Sequence, residues 1–156
     1  LRFTPETNRR NIPIVKRALG RPSAWPTISD CAELHSTKRA YSRFSESAMQ
    51  DFAQGSLVED LAAAPERRFR FAYPKRWEAH IYSTLPLVWS ALKKVSVPVL
   101  GVRGVDSDVL SPAMWQRWAS RHPSHQLHEV KNVGHLARLE QPTVVAELIA
   151  EWLETL

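Results

Sequence analysis

The chain has 156 residues, of which 44% are hydrophobic, and a formal net charge of +5 at pH 7. That length fits one domain, and the hydrophobic share is too large for a disordered tail. No apolar run approaches the ~20 residues that a membrane span requires, so we expect no membrane partner.

The first 90 residues are predicted to be mainly helical. The Thr4–Pro5 pair is typical of a helix start, and Gly20 is placed to end that helix. Asp30 and Glu33 predict a capping box for a second helix, and Ser45 is expected to cap a third. The first 21 residues carry six Lys or Arg but no interleaved stacking aromatics in a known module. We therefore expect solvated helix faces there and no nucleic-acid partner.

The middle of the chain is predicted to alternate between short elements. Phe69–Tyr73 alternates in the manner of a short strand or extended segment, which Pro74 ends. Trp77–Tyr82 is expected to be helical, and Leu87–Leu92 is expected to form a short helix that leads into a strand. Cys31 is the single cysteine, which excludes an internal disulfide framework and argues against a structural zinc site.

Beyond residue 90 the pattern becomes strand–helix–strand–helix, which predicts an α/β fold class. The continuous apolar run Val97–Val102 predicts a buried parallel strand. A helix over 112–121, a strand over Gln126–Val130 and a helix over Thr143–Leu156 follow. The last helix carries one apolar stripe, formed by Val144, Val145, Leu148, Ile149 and Trp152.

Charged and polar side chains follow both predicted strands at the point where each strand ends. The first strand breaks at Gly104 into a loop holding Asp106 and Asp108, and the second leads to His135, directly after Gly134. Because parallel strands end at the same edge of a sheet, these loops are expected to be neighbours, where α/β enzymes build their sites.

The two loops resemble two motifs of one family. GVDSDVLSP, residues 104–112, is similar to the acid loop of α/β-hydrolases, and GHLARLEQP, residues 134–142, is similar to their histidine loop. The chain therefore resembles the C-terminal part of an α/β-hydrolase. The resemblance implies a helical cap over residues 1–90, followed by the last two parallel strands and their helices over 91–156, an incomplete core domain.

The resemblance also implies catalytic roles for two residues. Asp108 would be the triad acid and His135 the triad base, the acid holding the imidazole in the tautomer that activates a nucleophile. Asp106 is the rival acid, and alignment on the proline that ends the loop favours Asp108. Ser107 and Ser111 are expected to be loop residues rather than nucleophiles. Glu140 is expected to be a helix-start acid.

One part of the family pattern is missing from the sequence. The family's nucleophile stands on a Gly-x-Ser-x-Gly elbow that precedes the acid and the histidine, and no such elbow occurs here. We expect an N-terminal half of the same fold to supply the nucleophile, either in a longer chain or in a separate partner chain. Leu1–Phe3 would be the exit from the sixth strand. The fragment alone is expected to be inactive, and either poorly soluble or self-associating.

These features lead to one main functional hypothesis and two alternatives. The main one is a serine hydrolase that cleaves a small ester or related carbonyl substrate. An Asp nucleophile would instead give an epoxide hydrolase or haloalkane dehalogenase, and the loss of the nucleophile would leave a hydrolase-like binding protein. No cofactor is implied. His122 and His125 flank a proline without a third ligand at suitable spacing, so no metal site is expected.

Overall fold

The computed structural model describes residues 12–84 and 88–156. Its helices are α1 (Pro13–Gly20), α2 (Ile28–Ser36), α3 (Glu46–Ser56), α4 (Lys75–Ser83), α5 (Val88–Leu92), α6 (Pro112–Arg121), α7 (Ala137–Glu140) and α8 (Pro142–Leu153). Its strands are β1 (Ala24–Trp25), β2 (Leu57–Glu59), β3 (Phe69–Phe71), β4 (Leu100–Gly104) and β5 (Gln126–Val130). We call residues 12–84 the helical segment and residues 88–156 the strand–helix segment.

The helices lie close to their predicted positions. The predictions for Leu1–Phe3 and for the Thr4–Pro5 helix start lie outside the described residues. No helix in the described ranges is long and apolar enough to cross a membrane. Together, the helices and a small parallel sheet confirm the α/β fold class.

The helical segment also contains a small antiparallel sheet, in the order β1–β3–β2. The sequence predicted only the strand at Phe69–Phe71. Its partners are two and three residues long, too short to show the alternation of apolar and polar residues that marks a strand. Pairing with β3 stabilises them, since Ala24 lies opposite Arg70 and Val58 lies opposite the same residue on the other side.

Two helix caps test the sequence reasoning. The predicted capping box of Asp30 and Glu33 is wrong, because Thr27 is the N-cap of α2 and Asp30 is its partner. The Thr27 hydroxyl accepts the Asp30 N–H at 3.1 Å, and the Asp30 carboxylate accepts the Thr27 N–H at 3.0 Å. The predicted cap of α3 is confirmed, since the Ser45 hydroxyl accepts the Ala48 N–H at 3.1 Å.

The core of the helical segment surrounds a buried histidine. His35 is 8% exposed and lies within 6 Å, centroid to centroid, of the rings of Trp25, Tyr41, Phe52 and Phe71. Its Nδ1 donates to the carbonyl of Cys31, one helical turn earlier, at 2.7 Å. Burial lowers the pKa of His35, and burial raises the pKa of the Cys31 thiol to about 11. Both side chains are therefore kept in their neutral forms.

The strand–helix segment contains the parallel pair β4–β5, in register from Leu100 opposite Gln126 to Gly104 opposite Val130. Helix α6 packs on this pair at Gly101, where an added Cβ would lie 3.1 Å from the Trp118 ring. Strand β4 begins at Leu100, three residues later than predicted, and Val97 is largely exposed.

The predicted apolar stripe of α8 is only partly buried. Val145 is covered, whereas Val144 and Ile149 are exposed. Two strands offer too little surface to cover a helix of this length, and the other edge of β4 pairs with no strand among the described residues.

Candidate active site

The loops that leave β4 and β5 run side by side, as the sequence predicted. The Val105 N–H donates to the carbonyl of Val130, and the Asp106 N–H donates to the carbonyl of Val133, each at 2.9 Å. A Cβ at Gly104 would collide with the carbonyl oxygens of the histidine loop. The acid loop and the histidine loop are therefore in direct backbone contact.

Two further features fix this contact. Asn132 follows β5 with a φ of 59°, a left-handed conformation that asparagine tolerates better than most residues. Arg103, 3% exposed, donates to the carbonyl of Val105 at 3.0 Å and pairs with the Glu129 carboxylate at 3.1 Å. Nothing in the strand pattern indicated that this arginine would be buried.

The His135 side chain is exposed and meets the acid loop through one ring nitrogen. Its Nδ1 lies 3.5 Å from the Oγ of Ser107, which is 8% exposed and accepts the Leu110 N–H at 3.2 Å. Within the described ranges, Nε2 of His135 has no hydrogen-bond partner. That atom is the one a triad histidine turns toward the nucleophile.

The two acids of the loop are paired with the helical segment. Asp108 Oδ2 lies 2.7 Å from Nη2 of Arg39, and Asp106 Oδ2 lies 2.8 Å from Nη1 of Arg43. The hydrogen bond to Asp106 raises the pKa of Arg43. Among the described residues, neither carboxylate bonds to His135. The structure thus brings the predicted acid and base onto adjacent loops without joining them directly.

The arginines of these ion pairs were not predicted. They lie four residues apart in the connection between α2 and α3, on a 3₁₀ turn (Arg39–Tyr41) and just after it. Two cations at that spacing are also typical of a solvated helix face, so only the placement of the acid loop identifies their partners.

Glu140 lies in the first turn of α7, a helix only four residues long, as expected of a helix-start acid. It ends the single-turn helix α7, and its carboxylate turns back to the histidine loop. Oε2 accepts the Gly134 N–H at 2.5 Å, and Oε1 accepts the Leu136 N–H at 3.1 Å. In the sequence, the one feature that could have indicated this contact is the spacing of six residues between Gly134 and Glu140.

The remaining candidates behave as structural residues. Ser111 caps α6 by accepting the Met114 N–H at 3.3 Å. His125 accepts the indole N–H of Trp118 at 2.9 Å and stacks on His122, a packing arrangement. No group of three or more metal-ligating side chains occurs in the part of the chain that the structure describes.

Comparisons with known proteins bear on the whole arrangement. The sequence model of the alpha/beta hydrolase family matches residues 4–148. No curated protein matches the chain. Among solved structures, E-2-(acetamidomethylene)succinate hydrolase superposes with a TM-score of 0.78 at 19% identity, covering 97% of this chain and 55% of that one.

Two esterases share the same fold. An M. tuberculosis esterase superposes with a TM-score of 0.64 at 15% identity, covering 97% of this chain and 51% of its own. A thermophilic esterase from Thermogutta terrifontis, solved with malate bound, superposes with a TM-score of 0.57 at 23% identity. The superposition covers 97% of this chain and 51% of the esterase. The chain spans about half the length of the solved structures it matches.

Proposed function

The chain belongs to the alpha/beta hydrolase family, and from that premise we propose that it supplies the acid and the base of a hydrolytic triad. His135 is the general base and Asp108 is the acid that orients it. The observation that carries this proposal is the backbone contact between their loops, through the Asp106 N–H and the carbonyl of Val133. A base and its orienting acid must come within hydrogen-bonding reach of each other, and two loops in backbone contact can hold them that close.

The chemistry proceeds through two half-reactions, and in each of them His135 takes up one proton and gives it back. Nε2 takes the proton of a nucleophile as that group attacks a carbonyl carbon, and returns it to the leaving group. In the second half-reaction Nε2 takes a proton from the water that attacks the acyl-enzyme, and it returns that proton to the nucleophile oxygen as the acyl bond breaks. The imidazole is exposed, and its Nε2 is unpaired in the described ranges. Both features suit a base that takes its proton from a nucleophile outside these 156 residues.

Asp108 acts on the other ring nitrogen. A carboxylate accepts hydrogen bonds through both oxygens, so the ion pair of Oδ2 with Arg39 leaves Oδ1 available for Nδ1 of His135. The Ser107 hydroxyl, 3.5 Å from that nitrogen, is a second acceptor on the same loop. Accepting from Nδ1–H selects the tautomer in which Nε2 is a base.

The nucleophile, a serine, comes from an N-terminal half of the same fold. One edge of β4 pairs with no strand in residues 12–84 and 88–156, and this edge and the exposed apolar side chains around it are a surface suited to that half. Exposed apolar area of this kind marks an interaction surface. The substrate is a small ester or a related carbonyl compound, in keeping with the esterases among the structural neighbours.

The test uses the full-length protein, with p-nitrophenyl acetate as substrate. His135→Ala should lower kcat by several orders of magnitude, and Asp108→Asn by roughly 10⁴-fold, with the melting temperature retained. Asp106→Asn is the matched control, since it removes the neighbouring carboxylate of the same loop. A larger loss from Asp106→Asn than from Asp108→Asn would identify Asp106 as the acid. Retained turnover in His135→Ala would overturn the proposal.

A further inference from the structure

We propose that Glu140 is a positioning residue for His135, because its carboxylate binds the backbone on both sides of that histidine. Oε2 accepts the N–H of Gly134 at 2.5 Å, and Oε1 accepts the N–H of Leu136 at 3.1 Å. We call this arrangement the glutamate clamp. It rests on the proposed function, in which His135 is the base.

The clamp satisfies donors that the fold would otherwise leave unpaired. Leu136 is the N-cap of α7, and its carbonyl already accepts the N–H groups of Leu139 and Glu140. The amides at a helix start have no partner within the helix. A carboxylate is a strong acceptor for such groups, and hydrogen bonds to an ionised group are roughly twice as strong as neutral ones.

The glycine before His135 provides the space for the clamp. A Cβ at Gly134 would lie 2.8 Å from Oε1 of Glu140 and 3.2 Å from its Oε2. The glycine φ is not positive, so the requirement is for close approach and not for an unusual backbone conformation. Gly134 and Glu140 therefore form one unit around the histidine.

The effect of the clamp on catalysis follows from how His135 is held. Its ring is exposed, and within the described ranges its one hydrogen-bonding neighbour is Ser107 at 3.5 Å. A side chain with so little lateral support takes its position from its own backbone. The clamp fixes the amides directly before and after that residue. A displacement of about 1 Å in a catalytic group can lower the rate about 100-fold.

The experiment compares Glu140→Ala and Glu140→Gln with the parent in the full-length protein, on p-nitrophenyl acetate. Glu147→Ala is the matched control, since Glu147 is an exposed glutamate on α8 without a side-chain hydrogen bond among the described residues. Glu140→Ala should lower kcat about 100-fold and leave KM within about 3-fold. Glu140→Gln keeps one acceptor oxygen, so its kcat should fall about 10-fold. Glu147→Ala should change neither constant.

The melting temperature separates a loss of folding from a loss of activity, and His135→Ala separates failure of the clamp from failure of the proposed function. If Glu140→Ala fails to fold, Glu140→Gln decides: a lowered kcat at an unchanged melting temperature supports the clamp, and an unchanged kcat overturns it. If His135→Ala abolishes turnover while both Glu140 variants keep the parental kcat, the clamp alone fails. If His135→Ala keeps its turnover, the proposed function fails and the clamp fails with it.

Discussion

The helical segment and the strand–helix segment differ in how completely they bury their apolar side chains. The helical segment contains packed clusters, one around Trp25, Cys31 and Phe71 and another around Met49 and Ala53. The strand–helix segment buries fewer hydrophobic residues and exposes apolar side chains on the approach to β4, in the acid loop and along α6 and α8, among them Val97, Val109, Met114, Ile149 and Leu153.

The densely packed core and the proposed catalytic residues therefore lie in different segments of the chain. The better-packed segment holds a buried aromatic core, whereas the segment with the proposed acid and base depends on backbone contacts between two loops. A parallel sheet is normally covered on both faces and extended on both sides, so two strands leave much apolar surface without cover. The division into a cap over residues 1–90 and a core over 91–156 stays a prediction.

The largest expected effect tests the loop contact. Gly104→Ala forces a Cβ into the carbonyls of Val133 and Gly134, backbone atoms that cannot move aside without separating the loops. Overpacking of this kind costs about 1–3 kcal/mol or more, and ester turnover should fall with it. Urea unfolding and kcat of the full-length protein measure both.

The matched control is Gly20→Ala in the helical segment, where a Cβ meets nothing within 4 Å. Gly20 ends α1, and alanine is favoured over glycine in a helix by up to about 1 kcal/mol, so stability should hold or rise. Equal stability of the two alanine variants would contradict the backbone contact at Gly104.

A smaller effect is expected in the core of the helical segment, where the free energy of unfolding should depend on pH through His35. Burial lowers the pKa of His35 below its ordinary value of 6.5, so the unfolded chain binds the proton more readily than the folded one. The stability that the neutral imidazole contributes is therefore fully present above that value and is lost as the pH falls below it. The loss cannot exceed about 1.4 kcal/mol per pH unit.

Urea unfolding of the full-length protein between about pH 7.5 and pH 5 measures this loss. His35→Phe keeps a ring in the aromatic cluster and removes the titrating group, so its stability should fall less over that range. Parallel pH curves for the parent and the variant would show that His35 titrates alike in the folded and unfolded chains.

The smallest expected effect tests the link between the two segments. Arg39 and Asp108 form an exposed pair, with side chains 89% and 58% exposed. Such pairs contribute about 0.2–1 kcal/mol and are screened by salt, so Arg39→Gln should lower stability by less than about 1 kcal/mol, and by less still in 1 M NaCl.

Arg68→Gln is the matched control, because it removes an exposed pair with Glu59 that lies wholly within the helical segment. Both variants should behave alike in urea unfolding. A loss well above about 1 kcal/mol for Arg39→Gln alone would mean that the pair is buried in the full-length protein. Removing one partner of a buried ion pair costs more stability, because it leaves the other charge buried and unpaired.

Local patterns predicted those parts of the fold that depend on neighbours in sequence. Capping, periodicity and proline placement predicted the cap at Ser45, the helix at Trp77–Tyr82, the helix over 112–121 and the strand over Gln126–Val130. The very short strands β1 and β2 did not follow, because their stability comes from pairing with β3 and not from their own residues.

The same distinction holds at the candidate site. The sequence by itself determined that an acidic loop and a histidine loop follow two parallel strands, and hence that they meet at one edge of the sheet. Only the tertiary structure decided which side chains the acids and the histidine meet: Arg39 for Asp108, Ser107 for His135, and the loop amides for Glu140. Strand order follows from local backbone preference and chain connectivity. The partner of a charged side chain depends on which remote segment folds against it, and sequence spacing alone does not encode that.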